Sequence, residues 1–307
     1  MILTVCMSPC MDVTIELDAF NIGKTNVVKS KNVTFGGKAL NVAIGVKRLQ
    51  GDSYATGIMY NENGYAFENA LDKEGVPFTF VWNKGRVREN YKFIDRRSML
   101  TEVNDVGEEV SKEKAEEVLA MVRMLSAKNK VTVLSGGLPH GIPDNFYGRL
   151  SRAVSPNCLK IVDATGERMF EALKEGADLV KPNLDELEHT LGRHIQSKED
   201  MLSACYELLD RGAKRVLLSL GKQGAVITDG MRNYYCKSIN VAMNSTVGAG
   251  DGMVAAAALK LAEDAPICEI LRSGVAAGTA TVMTTGKVSF TKDKYEEVLA
   301  NLRVTEI

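Results

Sequence analysis

The stretch Asn244-Ser-Thr-Val-Gly-Ala-Gly-Asp-Gly-Met253, continued by Val254-Ala-Ala-Ala-Ala-Leu-Lys-Leu-Ala-Glu263, is the segment around which the rest of the chain is organised. Its second half is rich in strong helix formers, so we expect a helix to begin near Gly250. A glycine loop that enters a helix leaves unpaired N–H groups at the positive end of the helix dipole. The stretch therefore predicts an anion site.

Asp251 falls in the first turn of this helix. A carboxylate repels an anion bound beside it, so anion binding alone does not explain its presence. Its presence is explained if Asp251 takes a proton from a hydroxyl while the amides of Gly248, Ala249 and Gly250 stabilise charge on a phosphoryl group. The alternative is that Asp251 only stabilises the helix N-terminus, and this stretch taken alone favours that alternative.

The composition is that of an ordinary soluble protein, with 307 residues, 45% hydrophobic and 25% charged residues, and a formal net charge of −1. Near-neutral charge without a long Lys/Arg block argues against nucleic acid or an anionic membrane as the main partner. No leader pattern and no apolar run of membrane-spanning length occurs, so we expect a cytoplasmic protein. The six cysteines are scattered without paired spacing and are expected to be reduced and mostly buried.

Two segments, at about 12–34 and about 86–104, each contain a pair of runs in which polar and apolar residues alternate. Such alternation is typical of half-exposed strands. The two pairs are separated by material that alternates strand and helix, and they could join into one small sheet lying off the main body. We call this predicted sheet the lid.

The remainder up to Glu263 reads as strands alternating with helices, which requires a mainly parallel sheet covered on both faces by helices. We find no linker that would divide residues 1–307, so a single α/β domain is expected. Ligands bind such sheets at the carboxyl ends of the strands. Polar residues follow several predicted strands and should gather at that edge: Ser8, Ser135, Asp163, Lys181-Pro-Asn183 and Ser219-Leu-Gly221.

A second glycine turn, Gly36-Gly37-Lys38-Ala-Leu-Asn41, also opens a predicted helix. Its simplest interpretation is a strand-to-helix turn with a solvated lysine. Asn183-x-x-Glu186 likewise has the spacing of a capping box at a helix start. Neither a P-loop nor a G-x-G-x-x-G fingerprint is present, so a nucleotide would have to be held in another way.

Taken together, these motifs resemble a known family. Gly36-Gly37-Lys38-x-x-Asn41 and Thr246-Val-Gly-Ala-Gly-Asp251 resemble the two signatures of the ribokinase-like (PfkB) sugar kinases. Asn183-x-x-Glu186 and Ser219-Leu-Gly221-x-x-Gly224 resemble further motifs of that family and fall between them in order. The resemblance covers essentially the whole chain and implies a ribokinase-like α/β fold with a small β-sheet lid. The joint match favours Asp251 as a catalytic base.

Within this family the chain is most similar to the subgroup of 1-phosphofructokinases and tagatose-6-phosphate kinases. Ser8-Pro9-x-x-Asp12, Arg88-x-Asn90 and Ser135-Gly-Gly-Leu-Pro139 resemble motifs of that subgroup. Two positions depart from the family pattern next to the signatures: Ala39 replaces a glycine, and Gly252 replaces the serine that follows the catalytic aspartate.

The resemblance implies an enzyme that uses ATP and Mg²⁺ to phosphorylate a ketohexose monophosphate. Fructose 1-phosphate is the favoured substrate, and tagatose 6-phosphate is the alternative. A hypothesis of a different class is a sugar-phosphate sensor without catalysis, but a sensor would have no reason to keep a base at the anion site. The family also suggests a homodimer formed through the lid strands.

The site residues implied by the resemblance form four groups. Asp251 would be the base, with the anion hole at Gly248, Ala249 and Gly250. The sugar phosphate would be bound by Asp12, Gly36, Gly37, Lys38, Asn41, Arg88, Asn90 and Ser135. The nucleotide would be bound by Lys181, Asn183, Ser219, Gly221, Gly224, Thr246 and Gly250. Glu186 would act on Mg²⁺ through water. Because a phosphate dianion requires cations, Lys38 and Arg88 are the residues expected to contact the sugar phosphate.

Overall fold

The strands of the main sheet are short apolar runs, and most of their side chains are buried on both faces of the sheet. The structure is a computed structural model that describes residues 1–97, 99–242, 244, 246–284 and 286–307. Ser98 of the lid prediction and Ser245 of the glycine stretch lie outside the described residues.

Strands and helices alternate over most of the described chain, as predicted. The strands are β1 Ile2–Cys6, β2 Cys10–Leu17, β3 Val28–Gly36, β4 Ser53–Tyr60, β5 Phe78–Asn83, β6 Arg88–Ile94, β7 Leu100–Asn104, β8 Val131–Ser135, β9 Leu159–Asp163, β10 Leu179–Val180, β11 Val216–Ser219, β12 Ala225–Thr228, β13 Asn233–Cys236 and β14 Val304–Glu306. The helices are α1 Lys38–Arg48, α2 Tyr65–Lys73, α3 Lys112–Ser126, α4 Phe146–Ala153, α5 Glu167–Leu173, α6 Leu184–Leu191, α7 Lys198–Asp210, α8 Ala249–Ala262, α9 Ile267–Val282 and α10 Lys292–Asn301.

The main sheet has the strand order β14-β13-β12-β11-β10-β9-β8-β1-β4-β5 among the described residues. It is parallel from β11 to β5, and β12, β13 and β14 continue it in antiparallel pairing. One hydrophobic cluster, which includes residues of α1, α8, α9 and α10, packs on one face, and a second, with residues of α2 to α7, covers the other. The prediction of a mainly parallel sheet between helices is confirmed.

The four alternating runs do join into one small sheet, with the order β3-β2-β6-β7. Strand β2 lies in its centre, antiparallel to β3 and parallel to β6. The small sheet is therefore assembled from the two segments predicted to form it, although residues 37–87 separate them in the chain.

Several elements were not predicted from the sequence: β5, α9, α10 and β14. Helix α9 is apolar on nearly all sides and packs closely against α8. Residues 273–281 of α9 are all buried, and its partly exposed charged residues, Glu269 and Arg272, lie near its start. A β-carbon on Gly252 of α8 would lie 2.6 Å from Oγ1 of Thr281 and 3.2 Å from the carbonyl oxygen of Ala277. This close approach of α8 and α9 explains why glycine stands at position 252.

The state of the cysteines agrees with the expectation from their spacing. The cysteines are unpaired, and five of them are buried. Among the residues described, no helix combines the length and the apolar character needed to cross a bilayer.

Candidate active site

A cleft of about 1030 Å³ opens at the carboxyl ends of the parallel strands, beside the point where β1 and β8 lie next to each other and the strand order reverses. Most of the predicted site residues line it: Asp12, Gly37, Lys38, Asn41, Arg88, Asn90, Lys181, Asn183, Glu186, Ser219, Gly221, Gly224, Thr246, Gly248, Ala249, Gly250 and Asp251. Residues from the first and last thirds of the chain are thus brought together in one cavity.

Two predicted substrate residues, Gly36 and Ser135, are not part of the cleft lining. Ser135 is buried, and its hydroxyl donates a hydrogen bond to Oδ2 of Asp163 at 2.7 Å. Gly36 lies behind the wall, and the Lys287 ammonium occupies the space that a β-carbon at position 36 would need. These positions support an indirect role: Ser135 orients the Asp163 carboxylate, and Gly36 leaves room for the Lys287 side chain.

The glycine loop has the backbone geometry that the sequence predicted. Helix α8 begins at Ala249, one residue before the expected start, and its N-cap Gly248 adopts a left-handed conformation with φ of 85°. Gly248 has no side chain with which to cap this helix end. Gly248, Ala249 and Gly250 all line the cleft, so the positive end of the α8 dipole lies at the cavity wall.

Asp251 lies in the first turn of α8 and is only 7% exposed. Nδ2 of Asn41, on α1, donates a hydrogen bond to its Oδ2 at 2.7 Å. Burial, and secondly the charge of Asp163, raise the pKa of Asp251 to about 6, while the Asn41 hydrogen bond and the lysines at 38 and 181 oppose that rise. At neutral pH this carboxylate is mostly ionised, yet basic enough to accept a proton.

Asp163, at the end of β9, holds two lysines at the cleft. Its Oδ1 lies 3.3 Å from Nζ of Lys181, and its Oδ2 lies 3.6 Å from Nζ of Lys38. Burial alone would raise the pKa of Asp163, but the two lysines and Ser135 hold it below its usual range. The charge of Asp163 in turn raises the pKa of Lys38 above its usual range, so that lysine stays protonated.

Helix α6 begins at the cleft with the capping box that its spacing indicated. The Asn183 side chain accepts from the backbone N–H of Glu186 at 2.7 Å, and Oε2 of Glu186 accepts from the backbone N–H of Asn183 at 2.9 Å. The second oxygen, Oε1, lies 3.3 Å from Nζ of Lys38. Glu186 is therefore fixed by the helix start while one oxygen remains on the cleft side.

The far end of the cleft combines a glycine turn with an apolar wall. Gly221 and Gly224 both have positive φ, of 57° and 99°, and they bracket a single turn of 3₁₀ helix after β11. A β-carbon on Gly224 would collide with the backbone carbonyl of Cys236, so this turn needs glycine. The wall opposite is formed by Ile239, Val241, Val275 and Val282. Such a surface suits a flat, partly apolar group.

The small sheet supplies the other end of the cleft. Nδ2 of Asn90 donates to Oδ1 of Asp12 at 3.3 Å, and Nη1 of Arg88 donates to Oδ1 of Asn90 at 3.3 Å. Asp12 also forms an ion pair with Lys287. Because these groups are rich in hydrogen-bonding atoms and cations, this end suits a polar anionic ligand.

Sequence reasoning gave no role to two residues that shape the site. Asp163 carried a signal, since it follows a strand at the expected edge, but no motif includes it. Lys287 carried none, because it follows the unrecognised helix α9 and belongs to no pattern. Its partner Asp12 lies 275 positions away in the chain.

Comparison with known proteins agrees with this geometry. The model of the pfkB family carbohydrate kinases matches residues 2–294. The chain is 28% identical to a 1-phosphofructokinase of Borreliella burgdorferi over 309 residues, covering 100% of this chain and 99% of the relative. It is also 28% identical to a tagatose-6-phosphate kinase of Staphylococcus epidermidis over 311 residues, covering 100% of both proteins.

A solved structure of phosphofructokinase-2 from Escherichia coli in complex with potassium has the same fold. It superposes with a TM-score of 0.90 at 30% sequence identity and covers 98% of each chain. The family match extends over most of the chain, and the cleft contains both signature motifs. The chain therefore belongs to the pfkB family of carbohydrate kinases and is an ATP-dependent sugar kinase.

Proposed function

We propose that this kinase transfers the γ-phosphoryl group of ATP to a ketohexose monophosphate, with fructose 1-phosphate converted to fructose 1,6-bisphosphate. The observation that carries this proposal is the position of Asp251. It is buried between the glycine loop and Asn41, in a cleft with cations of the small sheet at one end and an apolar wall at the other. A base at that point lies within reach of a sugar hydroxyl from one end of the cleft and of the terminal phosphate of ATP from the other.

The transfer forms one P–O bond and breaks another. The acceptor oxygen of the sugar attacks the γ-phosphorus, the bond to the oxygen that bridges the β- and γ-phosphates breaks, and ADP leaves with that oxygen. Asp251 receives the proton of the sugar hydroxyl. The amides of Gly248, Ala249 and Gly250 stabilise the charge that develops on the γ-phosphoryl oxygens.

The sugar binds at the end of the cleft formed by the small sheet. Asp12, Asn41 and Asn90 offer hydrogen bonds to hydroxyl groups, and Arg88 offers a bidentate contact to the phosphate that the sugar carries. An Arg88→Ala variant is expected to raise the KM for the phosphosugar far more than the KM for ATP. A kinase that used the unphosphorylated ketose equally well would contradict this assignment.

Lys38 is proposed to act at the meeting point of the two substrates. Its ammonium lies between Glu186 and Asp163, and the charge of Asp251 acts on it as well. This location supports contact with the phosphoryl group in transit. The sequence-based assignment of Lys38 to the sugar phosphate is the alternative. A Lys38→Met variant distinguishes the two assignments. If Lys38 contacts the phosphoryl group during its transfer, the variant lowers kcat; if Lys38 contacts the phosphate of the sugar, the variant raises the KM for the phosphosugar.

The nucleotide is proposed to lie between helix α6 and the apolar wall. Asn183, Ser219, Gly221 and Gly224 approach its phosphates and ribose, while Thr246 and Lys181 lie near the γ-phosphate end. The apolar residues 239, 241, 275 and 282 would then cover the base. The glycine turn supports this placement, because backbone can approach a phosphate closely only where no side chain intervenes.

The residues at the start of α6 fit Mg²⁺ held mainly by phosphates and water. In the described part of the chain, no group of three or more His, Cys, Asp or Glu side chains could hold a metal ion. Asp185 and Glu186 line the cleft and could orient metal-bound water. When bound, Mg²⁺ supplies charge neutralisation at the phosphate oxygens.

The small sheet is proposed to close over the sugar and to join two subunits, within one kinase domain of residues 1–307. Asp12 and Asn90 pair across strands and line the cleft, so their neighbours Val13 and Tyr91 point to the other face. On that face Val33 and Val103 remain 40% and 51% exposed. A twofold pairing would cover them.

The wild-type protein tests the proposal directly. ADP release should be measured with fructose 1-phosphate, tagatose 6-phosphate, fructose and tagatose as acceptors. We expect the highest kcat/KM for fructose 1-phosphate and little turnover of the free sugars. Preference for tagatose 6-phosphate would favour the alternative substrate, in line with the relative of that name. Tight binding of a phosphosugar without any turnover would instead indicate the non-catalytic sensor.

A further inference from the structure

Lys287 projects into the cleft from the segment between α9 and α10, and neither the sequence motifs nor the proposed mechanism uses it. Its side chain is 12% exposed and forms an ion pair with Asp12, whose side chain is 10% exposed. The ammonium lies against Gly36, at the place a β-carbon would occupy. The glycine at position 36 therefore provides the room in which this lysine reaches the sugar end of the cleft.

A continuous row of polar contacts connects Lys287 with Arg88. Lys287 donates to Oδ2 of Asp12, and Asn90 donates to Oδ1 of the same carboxylate. Arg88 then donates to the amide oxygen of Asn90. Two cations thus share one short row of contacts with a single carboxylate, and both act on the same side chain, Cys10, at the end of the cavity.

The charges in this row do not balance. Within the described residues, Arg88 forms no ion pair with a carboxylate, and its Nε is buried without a hydrogen-bond partner. Both cations act on the nearby Cys10 thiol, whose pKa burial raises and they lower. Lys38, in contrast, already has two carboxylate partners. The row therefore carries one net positive charge and is suited to an anion.

We propose that Lys287 is a specificity-determining residue: together with Arg88 it binds the phosphate that the sugar substrate already carries, in exchange for its ion pair with Asp12. The inference rests on the proposed function and deepens it. On sugar binding, the phosphate takes the lysine ammonium, and the freed Asp12 carboxylate accepts hydrogen bonds from sugar hydroxyls. No covalent bond changes in this exchange.

The exchange explains how the site selects against unphosphorylated sugars. A free ketose also offers hydroxyls to Asp12, but it provides no anion for Lys287. Accepting it would leave a nearly buried ammonium without its counter-charge, or leave Asp12 occupied by the lysine. A phosphosugar satisfies both groups at once. Discrimination therefore arises from the groups left unpaired by the wrong substrate as much as from contacts with the right one.

Lys287→Met keeps the length of the side chain and removes its charge. We expect the KM for fructose 1-phosphate to rise about 10–100-fold, the loss of one charge-assisted contact, with an unchanged KM for ATP. The preference in kcat/KM for fructose 1-phosphate over fructose should fall by a similar factor, and Lys287→Arg should restore most of it. Lys292→Met, a surface lysine at the start of α10, is the matched control and should resemble wild type. An unchanged preference in Lys287→Met would overturn the proposal.

A second measurement does not depend on turnover, and in it the substitution is expected to strengthen binding of an anion. Asp12→Asn removes the competing carboxylate, so calorimetry should show tighter binding of inorganic phosphate than in wild type, and Asp12→Asn combined with Lys287→Met should lose that gain. Equal or weaker phosphate binding by Asp12→Asn would overturn the proposal even if Lys287→Met fails to fold. A wild type that phosphorylates no ketohexose phosphate would instead refute the proposed function, and the phosphate titration would still decide the role of Lys287.

Discussion

Replacing Asn41 by alanine should move the pH at which the enzyme becomes active. In the folded protein the Asn41 amide donates a 2.7 Å hydrogen bond to the Asp251 carboxylate, and both side chains are buried. This bond favours the ionised carboxylate and so opposes the burial and the Asp163 charge that raise the pKa of Asp251 to about 6. Without it, the pKa must rise further.

The size of the change follows from the strength of that bond. A buried hydrogen bond to a charged group contributes about 1.5–3 kcal/mol, and 1.36 kcal/mol corresponds to a tenfold change in an acid dissociation constant. The midpoint should therefore move from near pH 6 to about pH 7–8. A base acts only when deprotonated, so activity is lost as pH falls through its pKa. At pH 6 the Asn41→Ala variant should accordingly lose about 5–50-fold more activity than at pH 9, because the wild-type base is itself half protonated at pH 6.

The assay is the pH dependence of kcat/KM for the phosphosugar at saturating ATP, from pH 5 to pH 9. The phosphate of the substrate also titrates in this range, but it does so equally for every variant, so only differences between profiles are interpreted. Asn90→Ala is the matched control, because Asn90 contacts Asp12 and not Asp251. It should lower activity without moving the midpoint. An Asn41→Ala profile with the wild-type midpoint would refute the reasoning.

Three further outcomes are expected. Gly252→Ser should lower the free energy of unfolding in urea by about 1–3 kcal/mol, because the new side chain overpacks against Thr281. The loss should be smaller when Thr281 is already replaced by alanine, and equal losses in the two backgrounds would exclude that contact as the cause. Val103→Glu should convert a dimer into a monomer in light scattering, whereas Val106→Glu, outside the strands, should not; a monomeric wild type would remove the dimer proposal. Glu186→Gln should raise the Mg²⁺ concentration for half-maximal activity about 10–100-fold while the KM for the phosphosugar stays constant, and an unchanged Mg²⁺ requirement would exclude a role for Glu186 at the metal.

The parts of the molecule that were predictable from the sequence have local causes. The glycine loop before α8 and the capping box at Asn183 are each contained in a few consecutive residues. The small sheet was recognisable because its strands alternate polar and apolar residues, as strands with one solvated face do. The meeting of Lys38, Asn41 and Asp251 in one cleft was predictable only through the resemblance to a family, which orders distant motifs.

The parts that were missed depend on contacts across the chain. Helix α9 follows the last recognised motif in the chain, and its residues 273–281 are buried where it packs against α8 and the sheet. The Asn41 and Asp251 contact joins residues 210 positions apart. Lys287 meets Asp12 only because the segment after α9 returns to the lid strand β2. No local spacing of residues predicts such long-range contacts, so they can be recognised only in the folded chain.

The central claim is that Asp251 is the base of phosphoryl transfer, and the Asp251→Asn variant tests it most directly. The isosteric amide keeps the side chain in place but cannot accept the proton. Phosphosugar affinity, measured by calorimetry, should stay close to that of wild type, while kcat should fall by about 10²–10⁴-fold or more. A kcat near the wild-type value in a correctly folded Asp251→Asn enzyme would contradict the account.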